Sequence, residues 1–167
     1  MNYKEGKDQF IEAWGSLGSS WGVNKAMAQI HALLLISPQP LSTDEIMEEL
    51  QISRGNANMN IRALMDWGLC HKKLIKGERK EYFWTGKDIY KLAKQVVAQR
   101  RKREIEPLFQ LMKTIDAVED NKSEETKEFK TVTKDIHSFL GKTDRLLNKF
   151  ENTDNSWFFE TLMKFIK

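Results

Sequence analysis

A single cysteine, Cys70, occurs among 167 residues, so an intramolecular disulfide is excluded. Cys70 opens a β-prone stretch where a small buried residue would fit; a redox-sensing thiol is the alternative reading. Three histidines, His31, His71 and His137, lie far apart and have no CxxC or HExxH partner, so no metal site is expected. His31 falls within an apolar helical run and reads as a core or half-buried residue. No GxxxxGK[ST] loop or dinucleotide fingerprint is present, and no cofactor is expected. No apolar run reaches the roughly 18 residues of a membrane span. The polar start Met1-Asn2-Tyr3-Lys4-Glu5 lacks a signal-peptide core, so the expected compartment is the cytoplasm. Only three prolines, with 31% charged and 40% hydrophobic residues, point to a helix-rich chain with a modest core. There is no internal repeat, and no low-complexity segment beyond the charged stretch 119–128.

Gly18-Ser19-Ser20-Trp21-Gly22 fits the G-x-S-x-G expression of serine hydrolases. That motif needs a strand, an elbow and a helix within a large α/β sheet. Here it lies between two helical patterns in a short chain, and its glycines read as bends that let an N-terminal helix turn tightly onto the next one. No catalytic constellation remains, so the chain is read as a non-enzyme.

What is present concentrates in residues 24–86. Asn24 caps a strongly apolar helix over 25–36, with Ala28, Ile30, Leu33, Leu34 and Leu35 as expected core. Ser42-Thr43-Asp44-Glu45 fits a capping box and opens a second helix carrying Ile46, Met47 and Leu50. Gln51-Ile52 makes a tight turn. Ser53 caps a third helix that runs to about Trp67 and is closed by Gly68. On a helical wheel Ala57, Ile61 and Leu64 share the core side. Arg54, Gly55, Asn56, Asn58, Met59 and Arg62 lie away from it. That face holds no glutamate, and its asparagines and arginines suit paired hydrogen bonds to adenine and guanine edges. Gly55 and the helix N-terminus favour close approach to a phosphate. Two β-prone stretches come next, 70–75 and 79–84, joined at Lys76-Gly77-Glu78, and read as a hairpin wing. Between Arg54 and Lys80 there are seven cations (Arg54, Arg62, Lys72, Lys73, Lys76, Arg79 and Lys80) against Asp66 and Glu78. That local excess of five exceeds the whole chain's net charge of +3, so the remainder is mildly acidic. The order of elements is that of a winged helix-turn-helix, with double-stranded DNA as the expected partner. The expected contacts are Ser42, Thr43, Ser53, Arg54, Gly55, Asn56, Asn58, Met59 and Arg62 from the helices, and Lys72, Lys73, Lys76, Gly77, Arg79 and Lys80 from the wing.

Trp21-Gly22-Val23-Asn24-Lys25, the helix to Ile36, Pro40-Leu41-Ser42, Ser53-Arg54-Gly55-Asn56 and Gly77-Glu78-Arg79-Lys80 together resemble the GbsR/MarR-like family of transcriptional regulators. The likeness covers residues 10 to 110 or so. It implies a homodimeric winged-helix regulator, usually a repressor, released in some members by a small ligand such as choline. A winged-helix protein-interaction module, or a non-specific nucleic-acid binder, is the alternative function.

Outside this segment, residues 3–17 read as an amphipathic helix with Phe10, Ile11, Trp14 and Leu17 on one side. A long helix starts after Gly86-Lys87-Asp88 and is kinked or restarted at Pro107. Ser123 caps a further helix from about Glu124 to Phe150. The tail 156–166 is apolar over most of its circumference, and a second subunit is its simplest cover. The expected fold is mainly α with a small β-hairpin wing: an N-terminal packing helix (1–23), the winged helix-turn-helix domain (24–86), and helical dimerisation extensions (87–167). Trp67 and Trp84 read as supports of the wing. Phe10, Trp14, Trp21, Trp157 and Phe158 read as core and dimer contacts, or, as the resemblance implies, as an aromatic box for a quaternary ammonium effector.

Overall fold

The computed structural model describes residues 1–119 and 122–153. The tail helix expected over 156–166, with Trp157 and Phe158, lies outside the described residues. The chain divides into two compact units, one from Met1 to Leu92 and a second beginning at Ala93.

The first unit is built around α2 (Lys25–Ile36), which buries Met27, Ala28, Ile30, His31, Ala32, Leu33 and Leu34 in only three turns. A helix apolar on all sides has to be enclosed. Here α1 (Tyr3–Ser20) and α4 (Arg54–Asp66) both pack against it. The α1–α2 contact corrects one expectation. Gly18 does not bend the chain; α1 runs through it, as it does through Gly15, and the break comes at Gly22, whose φ of 75° closes the turn. The two glycines instead allow close approach. A Cβ at Gly18 would lie 2.6 Å from the Ala28 Cβ, and one at Gly15 would lie 2.7 Å from Gln29 Cγ. The buried residues of α1 are accordingly Ile11 and Gly15, while Leu17 faces outward.

Between α3 (Thr43–Leu50) and α4, Gln51 takes the left-handed conformation (φ 52°) that turns one helix into the next. Ser42 forms the expected capping box, its hydroxyl accepting from the Glu45 amide while Glu45 Oε2 accepts from the Ser42 amide at 2.7 Å. Ser53 caps α4 by accepting from the Asn56 amide. Gly68 (φ 69°) ends it, as its amide donates to Met65 and that of Leu69 to Leu64. Ala57, Ile61 and Leu64 are buried, as the wheel requires.

The sheet has three strands. A short β1 (Leu41–Ser42) pairs antiparallel with β3 (Glu81–Trp84), which pairs with β2 (His71–Leu74), giving the order β1-β3-β2. The registers are Leu41 opposite Phe83 and Lys72 opposite Phe83 on the other side. The sequence pattern shows a two-stranded wing; β1 is too short to leave a periodic signal. Its pairing ties the start of α3 to the root of the wing. Phe83 is the buried anchor of the sheet, with Leu69, Cys70 and Thr85 buried beside the strand ends. Burial pushes the Cys70 thiol up to about 12, so it stays protonated and unreactive at neutral pH.

Lys87 closes this unit. Its ammonium donates to the carbonyls of Leu34 (2.8 Å), Leu35 (2.5 Å) and Ser37 (2.8 Å) at the C-terminal end of α2. A cation there complements the helix dipole and satisfies carbonyls with no intrahelical partner. Asp88 then caps α5 (Ile89–Arg100), its Oδ1 accepting from the Lys91 amide at 3.0 Å.

In the second unit, α5 passes through a π-helical turn (Arg101–Ile105) into α6 (Glu106–Ile115). The interruption expected at Pro107 takes this form: the turn loosens the backbone over the five residues that end at Ile105, two before the proline, whose ring and missing N–H an unbroken α-helix would not accommodate. Then α7 (Glu124–Asn152), capped by Ser123, packs against α6 and the π-turn. Arg101 reaches Asp144 at 2.6 Å and Glu151 at 3.4 Å, and Met112 and Leu140 are buried. No helix among the described residues is long and apolar enough to cross a membrane.

Candidate nucleic-acid interface

α4 presents its N-terminal turn and one flank to solvent. Arg54, Gly55, Met59 and Arg62 are exposed, and Asn56 and Asn58 are half-buried. Gly55 has nothing within 4 Å of where a Cβ would stand, so its lack of a side chain answers no demand of the folded chain. Asn60, one turn after Asn56, is buried; its amide nitrogen donates to the Asn56 carbonyl at 2.9 Å and to Asn56 Oδ1 at 2.5 Å. Asn60 thereby fixes the rotamer of Asn56 and assigns which atom of its amide is oxygen. Oδ1 keeps a second lone pair and Nδ2 stays available, the two atoms an adenine edge would meet. The wheel places Asn60 with neither the core nor the outward face; its role becomes visible only with Asn56 beside it.

Across from α4, the wing is exposed along β2 and the connection to β3. Ile75 to Glu78 form a β-turn, the Glu78 amide donating to the Ile75 carbonyl at 3.1 Å, and Gly77 takes the φ of 89° that its third position demands. The Tyr82 hydroxyl donates to Glu78 and steadies the turn. Lys76 and Arg79 stand at its tip.

The seven cations divide into two groups. Asp44, in the first turn of α3, holds Arg54 Nη2 at 2.5 Å on Oδ1 and Lys80 Nζ at 3.1 Å on Oδ2. Lys80 and Arg54, in that order, hold its carboxyl below the usual carboxylate range. Asp44 thus draws the start of α4 and the end of the β2–β3 connection together around a groove lined by Ser42, Thr43, Asp44, Arg54, Lys80 and Glu81. Lys72 pairs with Glu81. Among the described residues, Arg62, Lys73, Lys76 and Arg79 form no ion pair, and all four are exposed. Ser42 is 4% exposed, with its hydroxyl engaged by Glu45 at 2.6 Å, so it shapes the start of α3 rather than presenting a free group. Ser53 is exposed at the start of α4, and Thr43 is half-buried in the groove.

The aromatic residues are spread more widely. Phe10 and Trp14 lie 5.5 Å apart, and Trp14 lies 6.2 Å from the buried His31. Trp21 is 57% exposed.

Three helices in helix-turn-helix order, then a hairpin braced by β1, make this unit a winged helix-turn-helix. No protein-family model matches the chain. In sequence it is 21% identical over 103 residues to the HTH-type transcriptional repressor GbsR of Bacillus subtilis (strain 168), covering 62% of this chain and 57% of that protein. The chain thus spans little more than half the length of that relative. In structure it is similar to a transcriptional regulator solved by crystallography, with a TM-score of 0.59 at 15% identity, covering 86% of this chain and 98% of the other. At that identity the likeness is one of fold.

Proposed function

We propose that the protein is a sequence-specific, DNA-binding transcriptional regulator of the GbsR/MarR-like type, acting as a cytoplasmic homodimer and more as a repressor than as an activator. One observation carries the reading: α4 and the wing, joined through Asp44, between them hold all seven cations of the basic segment. In this reading α4 enters the major groove with Arg54, Asn56, Asn58, Met59 and Arg62 toward the bases. Gly55 and the helix N-terminus approach a phosphate, Ser53 and Thr43 flank that approach, and Lys72, Lys73, Lys76, Gly77, Arg79 and Lys80 track the backbone or the minor groove. Two copies related by a two-fold axis would read a roughly palindromic operator with half-sites one helical turn, or a multiple of it, apart. A small ligand would release the dimer, with Phe10, Trp14 and Trp21, and Trp157 and Phe158 from the tail, as walls of a site for a quaternary ammonium group. Repression is favoured because the relative from Bacillus subtilis is named a repressor.

The test is to incubate the purified protein with sheared genomic DNA at physiological salt and sequence the fragments it retains. A small set of fragments sharing an inverted repeat is expected. Even retention across the genome would instead make this a general nucleic-acid binder.

A further inference from the structure

The outer face of α7 carries an apolar stripe that the packing of its own unit leaves exposed. The inner face holds Leu140, buried, and Asp144 and Glu151, which reach Arg101. Phe129, Val132, Ile136, Phe139 and Leu146 are exposed, with Phe139 at 67% and Leu146 at 60%. With Thr143 they fall at alternating three- and four-residue spacing, the a and d positions of a heptad repeat sustained over three heptads. Along one edge of this stripe run Glu128, Asp135, Lys142 and Lys149, each one heptad after the last, at the g positions. The first two are acidic and the last two basic.

We propose that this face is a self-association seam on which α7 of a second copy lies antiparallel. Two parallel copies would set each g residue against an e residue, here Thr133, Leu140 and Leu147, with no charge to meet. Two antiparallel copies set g against g. Glu128 then meets Lys149 of the second copy and Asp135 meets Lys142 of the second copy, and the two-fold axis makes each pair twice. The same register stacks Phe129 on Leu146, Val132 on Thr143, and Ile136 on Phe139 of the second copy. One alignment therefore brings together both the apolar layers and charges of opposite sign at all four g positions. The seam deepens the homodimer part of the proposed function by naming its surface, and it does not depend on DNA contact.

Sedimentation of the full chain without DNA tests it, using Asp135→Lys, Lys142→Asp, their equimolar mixture, and Phe139→Lys, with helix content monitored by circular dichroism. Each charge reversal should weaken self-association about tenfold at low salt, because two attractive pairs become repulsive. The mixture should recover the wild-type affinity, since the two reversals complement each other across the axis. Phe139→Lys should be monomeric with unchanged helix content, as its side chain is exposed within the unit. Charge variants that associate like the wild type, or a mixture no tighter than its components, would overturn the seam. A wild-type chain that stays monomeric at every concentration would overturn it too, and would give the stripe to the chain's own tail. Measuring retention of DNA fragments by the same variants separates the two readings: loss of association with DNA recognition intact per half-site, or the reverse, sinks one and spares the other.

Discussion

Asp44 places a negative charge between Arg54 and Lys80, two of the cations that the proposed function sets against DNA. Replacing it with asparagine removes that competitor, so duplex affinity at low salt should rise, and the dependence of binding on salt should steepen by about one unit of slope as Arg54 and Lys80 become available. The free protein should change little, because exposed ion pairs contribute about 0–1 kcal/mol. Salt titrations on specific and random duplexes check this; unchanged slope and affinity would put Asp44 outside the interface. His31 gives a second residue-scale outcome. Burial, and then the charge of Lys87, lower its pKa from the usual 6.5 to about 4. The folded form therefore refuses a proton that the unfolded chain accepts. The resulting stability is complete above about pH 6.5 and is lost as pH falls toward 4, a difference of about 3 kcal/mol. Urea midpoints across that window should fall more steeply for the wild type than for His31→Leu, and equal falls would clear His31. The burial of His31 is legible in the apolar run around it, but the role of Asp44 is not. The capping box announces Ser42 and Glu45, but nothing marks Asp44 as the meeting point of Arg54 and Lys80, since ten and thirty-six positions separate it from them in the chain.

Elements defined by local signals are legible in the sequence, and those defined by long-range pairing are not. The caps at Asn24, Ser42, Ser53 and Ser123 and the stop at Gly68 set helix ends through side-chain and backbone bonds spanning a few residues. By contrast β1 exists only through its pairing with β3, and Gly15 and Gly18 show their purpose only against α2. Two glycine substitutions should act with opposite sign. Gly18→Val should destabilise the fold by about 1–3 kcal/mol, because the Ala28 Cβ already fills the space. Gly55→Ala, with open space around it, should stabilise α4 by up to about 1 kcal/mol and still weaken DNA binding if the backbone there approaches a phosphate. Thermal unfolding and operator titration of the same two variants settle both signs. In the wing, Arg79→Ala should lower the salt slope by about one unit, whereas Lys72→Ala, whose charge Glu81 already meets, should lower it by less. Equal effects would mean that Glu81 releases Lys72 on binding.

Taken whole, the chain joins a winged helix-turn-helix unit to a second unit whose helices carry apolar surface beyond what their own packing uses. If effector and DNA act on a common equilibrium, thermodynamic linkage fixes a testable equality. Choline or glycine betaine titrated against tryptophan fluorescence should bind with an affinity that DNA changes by the same factor by which the ligand changes DNA affinity. A ligand that binds equally well with and without DNA would have no regulatory role, and no fluorescence change at all would leave Phe10 and Trp14 as packing residues. The heptad stripe of α7 is present in the sequence as a list of apolar positions. The charges along its edge gain meaning only once the inner face of the helix is known to be occupied.

The Lys87 clamp makes the segment between α2 and α5 a closed loop. Its ammonium holds the carbonyls of Leu34, Leu35 and Ser37, so the backbone that leaves α2 and the backbone that leaves the wing meet at one point. Everything that would touch DNA lies between those two places in the chain. Such a module is transplantable: a related regulator's residues 38–86 could be spliced in at these joints with the ends already held at the right separation. Chimeras joined there should fold and take on the donor's operator preference where the donor keeps the buried residues Ala57, Ile61 and Leu64 of α4, because these joints leave α2 to the host and set the donor's α4 against it.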